Sequence, residues 1–337
     1  MAQFPGMGGT ILVTGASGFV GGAVCSLLHE RGYSVRGTGR KERPVRLPPD
    51  VGYRQADLTD RAAVAALCEG VTAVIHTAAK AGVWGPELEY RRANVDATAN
   101  LLDAARESGV ECFVFTSTPS VVFSGKPIRN GDETMAYGKD FPRTYPATKA
   151  EAEQTVLAAH EDAFRTLALR PHLIWGPGDP HLFPRVFERA DAGRLRIVGD
   201  GRNRVDLTYI DNVASGHLAA LEALAAGRGG GRAYFLTQDE PVALWPFINE
   251  LLERTGRPVL TRKVPLGVAI AAGSIAERVW KTLRLKGEPP MTRFVAKELG
   301  TDHWFSSRAA RDELGYQPTV SVAEGMDRTL ERLNRGE

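Results

Sequence analysis

Thr10-Ile-Leu-Val-Thr14-Gly15-Ala-Ser17-Gly18-Phe19-Val20-Gly21 is the stretch that decides the fold. Its apolar start reads as a short buried strand. The glycines that follow, Gly15, Gly18 and Gly21, fall at G-x-x-G-x-x-G spacing and open an amphipathic helical pattern over Phe19–Arg31. Strand, glycine turn and helix in that order let the backbone bend sharply and aim helix N-terminal N–H groups at a pyrophosphate. Glycines alone would suit any tight βα turn. With the strand before and the helix after, they predict a dinucleotide cradle whose contacts are Gly15, Ser17, Gly18, Phe19 and Val20.

Outward from the cradle, short apolar runs alternate with helical patterns, as in a doubly wound parallel α/β sheet. Strands are expected at Thr10–Thr14, Tyr33–Thr38, Gly52–Gln55, Ala73–Thr77, Cys112–Thr116 and Thr166–Leu169, and helices at Phe19–Arg31, Arg61–Cys68, Tyr90–Glu107 and Pro146–His160. After Arg170 the alternation loosens at the turn-rich Trp175-Gly-Pro-Gly-Asp-Pro180. The expected organisation is a nucleotide-binding domain over 9–175, to which 205–237 returns, and a smaller C-terminal substrate lobe over 176–337 with a lid-like segment at 264–300.

Composition narrows the function. Among 337 residues, 42 basic and 40 acidic side chains leave a net charge of +2, too little field for a nucleic-acid groove or a polybasic membrane tether. Cys25, Cys68 and Cys112 are scattered without metal-ligand spacing, as are His172, His181 and His217, so no metal is expected and a reduced, cytoplasmic setting is. Met1–Gly9 lacks the pattern of a leader peptide, and the apolar run Val264–Ala276 is too short and glycine-interrupted to span a membrane.

The second strand ends Arg36-Gly-Thr-Gly-Arg40, with no carboxylate at its tip where an NAD site holds the ribose 2′-hydroxyl. Arg40 in that place can pair with a 2′-phosphate, so NADP(H) is expected ahead of NAD(H), although arginines after a strand are also often merely solvated. Asp57-Leu58, ending the third strand, is placed to meet the adenine; Asp57 can equally cap the next helix. Much further on, Tyr145-Pro-Ala-Thr-Lys149 sets a phenol and an ammonium one helical turn apart. On one face, the ammonium would draw the phenol pKa from about 10 toward neutrality and make Tyr145 an acid/base.

These segments resemble, in order, the extended short-chain dehydrogenase/reductase superfamily. The motifs are Thr14–Gly21, Asp57-Leu58, His76-Thr-Ala-Ala79, Asn94-Val-Asp-Ala-Thr98, Thr116-Ser-Thr118, Tyr145-x-x-x-Lys149 and Arg170-Pro-x-x-Ile174. Ala78–Gly85, Thr116–Val121, Leu169–Asp179 and Val198–Arg202 look like the branch of 3β-hydroxysteroid and sterol-4-carboxylate dehydrogenases, and within it the bacterial 2-alkyl-3-oxoalkanoate reductases of olefin biosynthesis. The resemblance implies that Tyr145 is the acid/base and that Lys149 holds the nicotinamide ribose. It implies further that Thr118, or Ser117 beside it, bonds the substrate oxygen and that Asn94 supports the catalytic set. Ala78, Ala79, Pro171 and Ile174 would line the cofactor.

Nucleotide-sugar enzymes of the superfamily carry asparagine after the Arg strand; here Leu173 stands there, which favours a lipid-like substrate. Val264–Leu285 sets Ile275, Val279 and Leu283 at i, i+4 spacing beside Trp280, with Arg278, Lys281, Arg284 and Lys286 alongside. It reads as an apolar lid, a helix on a membrane surface, or a helix packed on the second lobe. Lys80, with Trp84 close behind, is a candidate carboxylate anchor, the alternative being a solvated lysine. The expectation is therefore an NADP-dependent oxidoreductase interconverting long-chain 2-alkyl-3-oxoalkanoates and 3-hydroxy acids, with a decarboxylating sterol dehydrogenase as rival. Less favoured are a nucleotide-sugar epimerase or dehydratase and a non-catalytic NADP-binding regulator. Peripheral membrane contact, a homodimer and association with other olefin-biosynthesis enzymes are compatible with the lead.

Overall fold

The computed structural model describes residues 9–139 and 144–335. All of Met1–Gly9 except its last residue, and the final two residues of 176–337, lie outside that set. The core is a parallel sheet of seven strands: β1 (Thr10–Thr14), β2 (Ser34–Gly39), β3 (Gly52–Gln55), β4 (Val71–His76), β5 (Cys112–Thr116), β6 (Arg165–Pro171) and β7 (Ala233–Leu236). Their spatial order is β7-β6-β5-β4-β1-β2-β3. The chain thus runs outward from β1, returns across it and continues from β4, which makes the β1/β4 junction the switch point where ligands of such sheets bind.

The helices are α1 (Phe19–Glu30), α2 (Arg61–Cys68), α3 (Glu87–Tyr90), α4 (Ala97–Glu107), α5 (Tyr145–Ala158), α6 (Leu182–Asp191), α7 (Ile210–Ala225), α8 (Leu244–Arg254), α9 (Leu266–Thr282), α10 (Arg293–Gly300) and α11 (Val322–Asn334). One sheet face packs Ile11, Val13, Val114 and Leu167 against Val24 and Leu28 of α1 and Leu221 and Leu224 of α7. The other packs Leu12, Val74, Phe113 and Phe115 against Val64 of α2, Leu101 of α4 and Val156 of α5. Strands buried on both faces explain why they read as continuous apolar runs. Beyond Pro171 a separate core gathers around Trp175, Phe183, Trp245 and Phe247. No described helix is long and apolar enough to cross a membrane.

Two elements depart from the sequence reading. The expected single helix Tyr90–Glu107 is instead α3, a π-helical turn over Arg91–Asp96, and α4. Asn94 is the cause: its amide is drawn inward to bond Lys80 N, Lys80 O and the Thr148 hydroxyl, which inserts a bulge into the helical ladder. Asp57 lies past the end of β3 rather than in it and does not cap α2. Its carboxylate turns back to Thr59, while Asp60 accepts the N–H groups of Ala62 and Ala63 as the cap.

Candidate active site

The switch point opens as a groove of about 510 Å³ lined by Gly15, Ser17, Gly18, Arg40, Asp57 and Leu58 on one side and Ala78 and Ala79 on the other. Gly15 has φ +69°, and a Cβ there would meet Thr77 Oγ1 at 2.8 Å and Ala78 N at 2.9 Å. A Cβ on Gly21 would strike Gly15 O at 2.3 Å, so both positions require glycine for β1, α1 and β4 to meet this closely. The Phe19 and Val20 side chains are absent from the lining and pack against the second lobe's core. Only their backbone, at the start of α1 where no side chain caps the N–H groups, is available to a phosphate.

Arg40 and Lys41 line the groove at the tip of β2, and Arg92 lines it from the π-helical turn; none forms an ion pair among the described residues. Arg92 was not legible in the sequence, because nothing in the spacing marks the bulge that turns it inward. Asp57 is held below its ordinary carboxylate pKa, first by the Thr59 N–H, with Arg40 and Arg92 adding to it. Lys80 also lies here and not at a substrate cavity: its ammonium is 2.7 Å from Glu89, which corrects the expectation of a carboxylate anchor.

At the carboxyl ends of β5 and β6 the remaining predicted residues meet. Tyr145 opens α5, with Pro146 in the first turn where its missing N–H costs nothing. Burial pushes its phenol up to about 12, and a hydrogen bond with the Thr118 side chain offsets part of that rise. The expected drop toward neutrality is absent for a physical reason. Lys149 is buried, its ammonium donates to Thr116 O at 2.6 Å and lies 3.9 Å from the centre of the Phe115 ring. Burial also lowers Lys149 to about 7, with Glu153 opposing the shift, so little positive charge reaches the phenol.

Thr118, not Ser117, contacts the phenol; the Ser117 hydroxyl is buried and has no hydrogen-bond partner among the described residues. Asn94 is buried and makes the three bonds that create the bulge, so it positions the Lys80 loop and α5, and it does not line the groove or either cavity. Pro171 closes β6 and is buried; Ile174, half-buried, begins the next short strand. A group that sequence spacing could not show joins these elements: Arg170 of β6 and Glu153 of α5 pair at 2.5 and 3.0 Å, with Tyr137 donating to the same carboxylate at 2.7 Å. His172 and His303 lie far apart in sequence but 3.1 Å apart in space beside Glu298, and His303 Nε2 bonds Glu298 O at 2.6 Å. A hydrogen-bonded pair accounts for the two facing nitrogens. His217 is taken up by Thr116 and Val213 O.

Two cavities flank this centre. The larger, about 660 Å³, is lined by Val83, Trp84, Phe123, Thr144, Phe294 and the cations Lys281, Arg293 and Lys297. Arg293 pairs with Glu277, whereas Lys281 and Lys297 have no carboxylate partner among the described residues. The smaller, about 160 Å³, lies behind Leu173. Helix α9 packs inward through Ala269 and Gly273, and its Glu277 and Lys281 reach the larger cavity. The stripe of Ile275, Val279 and Leu283 faces solvent, so neither an apolar lid nor an ordinary packed face describes it.

A family model described as the 3-beta hydroxysteroid dehydrogenase/isomerase family matches residues 12–266. The chain belongs to this family. It is 48% identical over 321 residues to a 2-alkyl-3-oxoalkanoate reductase of Stenotrophomonas maltophilia, covering 94% of this chain and 97% of that one. It is 32% identical to a decarboxylating sterol-4-alpha-carboxylate 3-dehydrogenase of Homo sapiens, covering 95% and 87%. Among solved structures, MoeE5 in complex with UDP-glucose and NAD matches with a TM-score of 0.71 at 25% identity, over 97% and 99% of the chains. The chain is thus a short-chain dehydrogenase/reductase that works between hydroxyl and oxo groups, with a nicotinamide dinucleotide as its cofactor. The glycine cradle and the cationic groove fit such a cofactor.

Proposed function

We propose that the protein is an NADP(H)-dependent reductase of long-chain 2-alkyl-3-oxoalkanoates, serving olefin biosynthesis on the cytoplasmic side of the cell. The observation that carries the reading is the Thr118–Tyr145 hydroxyl pair set beside a cavity walled by Trp84, Phe123 and Phe294 and edged by Lys281 and Lys297, which have no carboxylate partner among the described residues. Aromatic walls with a cation at the edge suit a hydrophobic acid. Arg40 and Lys41, with no acidic residue at the tip of β2, support a 2′-phosphate.

NADPH, which Gly15, Gly18 and Arg40 would hold in the groove, would supply a hydride for the C3 carbonyl. The phenol of Tyr145, kept protonated by burial, gives its proton to the carbonyl oxygen as general acid, and the Thr118 hydroxyl bonds the same oxygen. Lys149, on the same helix as Tyr145, would hold the nicotinamide ribose. Products are the 3-hydroxy acid and NADP⁺, with the carboxylate retained. Reduction removes the oxo group that would otherwise accept electrons as carbon dioxide departs.

The proposal extends to where such an acid is met. Val268, Ile275, Val279, Leu283 and Leu285 stay exposed, Ile275 at 66%, and Arg278, Lys281, Arg284 and Lys286 surround them. This is the character of a helix resting on anionic lipid. Purified protein with NADP⁺ is expected to oxidise a 2-alkyl-3-hydroxy acid, followed by NADPH absorbance, and to ignore UDP-glucose. Turnover of a 4-carboxysterol without turnover of the branched acid would transfer the assignment to the sterol dehydrogenases.

A further inference from the structure

Leu173 occupies the left-handed region, with φ of 37°, where few side chains other than asparagine sit comfortably. Its neighbours impose the turn: Thr208 donates its hydroxyl to His172 O at 2.8 Å and its N–H to Leu173 O at 3.2 Å. A branched apolar residue is therefore kept where the backbone favours asparagine or glycine, which directs attention to what its side chain faces. It lines the 160 Å³ cavity together with Leu182 and Val186 of α6 and Leu244, Trp245 and Ile248 of α8. Of the charged residues on that cavity, two arginines, Glu288 and the His303 ring are engaged by the protein itself. Arg185 pairs with Glu288 at 3.1 Å, Arg189 donates to Pro290 O, and His303 bonds Glu298 O. Val83 and Thr292 line both cavities, so the two adjoin, and Leu173 sits between Pro171 and Ile174 at the reaction centre.

We propose that this compartment binds the alkyl chain carried by the carbonyl carbon itself, the C3 chain, while the 2-alkyl chain and the carboxylate enter the larger cavity. The inference rests on the reductase reading above. The carbonyl carbon is trigonal, so its three substituents diverge. Its oxygen is taken by Tyr145 and Thr118. C2, which bears the carboxylate, goes toward the side with Lys281 and Lys297, which have no carboxylate partner among the described residues. The remaining direction leads to Leu173 and the apolar side chains of Leu182, Val186, Leu244, Trp245 and Ile248 around it, against which methylenes fit.

The test uses two substrate series with the NADP-loaded enzyme, one lengthening only the C3 chain and the other only the C2 chain. For the unaltered protein kcat/KM should rise with C3 chain length by up to about fourfold per added methylene until the compartment is full. Leu173→Asn, which suits the left-handed backbone, should flatten the C3 series and leave the slope of the C2 series alone. Val186→Phe, which fills the compartment, should move the C3 optimum to shorter chains. Flattening of the C2 series instead, or of both equally, would overturn the assignment. If the unaltered enzyme turns over neither series, the reductase reading fails. Calorimetric binding of 1-octanol then decides the compartment: loss in Leu173→Asn upholds it, and equal binding to both proteins removes it.

Discussion

Lys149→Met tests the electrostatics of the site through stability. Burial lowers Lys149 from 10.5 to about 7. The unfolded chain therefore keeps its proton to about pH 10 while the folded protein sheds it near neutrality. Between those values folding releases a proton, so stability rises with pH; below pH 7 both states are protonated and the penalty of burying the ammonium is fully present. At 1.36 kcal/mol per pKa unit the penalty is on the order of 5 kcal/mol, an upper value because the hydrogen bond to Thr116 O returns about 1 kcal/mol. Methionine matches the stem and cannot titrate. Urea unfolding of cofactor-free protein at pH 6, 8 and 10 should show the variant more stable at pH 6, with the gap closing as pH rises, even though activity is lost. Other titrating groups are common to both proteins and cancel in the difference. Parallel curves for the two proteins would refute a desolvated ammonium at this position.

Tyr145→Phe should cut turnover by ~10² or more and leave NADPH binding intact, read by fluorescence titration; near-normal kcat would remove the general-acid role. The difference in tyrosinate absorbance between wild type and Tyr145→Phe should develop only toward pH 12, since burial favours the protonated phenol; a titration near pH 7 would restore the expectation from the Tyr/Lys spacing. Arg40→Ala should weaken NADP⁺ by about 1.5–3 kcal/mol and scarcely alter NAD⁺, and equal losses would show that Arg40 does not read the phosphate. Ile275→Glu with Leu283→Glu should abolish co-sedimentation with phosphatidylserine vesicles; if wild type stays in the supernatant but self-associates through the same face, a second copy covers α9 instead.

The doubly wound sheet was legible because strands buried on both faces announce themselves as apolar runs, and because G-x-x-G-x-x-G has one economical use after a strand. Tyr145 and Lys149 were legible as a pair because they share one helix, whereas Thr118, two residues past the end of β5, followed only from the family resemblance, with Ser117 beside it. Other features were not. Arg92 faces the groove only because Asn94 bends its helix, and that bend depends on Lys80 and Thr148, residues 14 and 54 positions away. Of the two readings of Lys80, the anchor fails for the complementary reason: its place after β4 holds, but Glu89 neutralises it. The Ile275 stripe was correctly seen as amphipathic, yet periodicity gives two faces without saying which is buried. Small residues, Ala269 and Gly273, make the inner contact, so the larger apolar side chains are left outside.

The same distinction explains why the fold can retain a buried lysine. Arg170 and Glu153 bind β6 to α5 with both side chains almost wholly out of water, at 4% and 0% exposure, and Tyr137 adds a third bond. Removing one partner of such a pair leaves an uncompensated charge and costs on the order of 3–5 kcal/mol. The pair fixes α5 against the strand that carries Pro171, and hence fixes where Lys149 and Tyr145 stand relative to the nicotinamide side of the groove. Glu153→Gln should therefore lower stability by about that amount. It should also raise the KM for the cofactor, because Lys149 is held from the same helix, one turn earlier. A variant that lost stability but kept wild-type cofactor KM would show that Asn94 and the Thr148 contact suffice to position α5, and that the buried pair serves the fold alone.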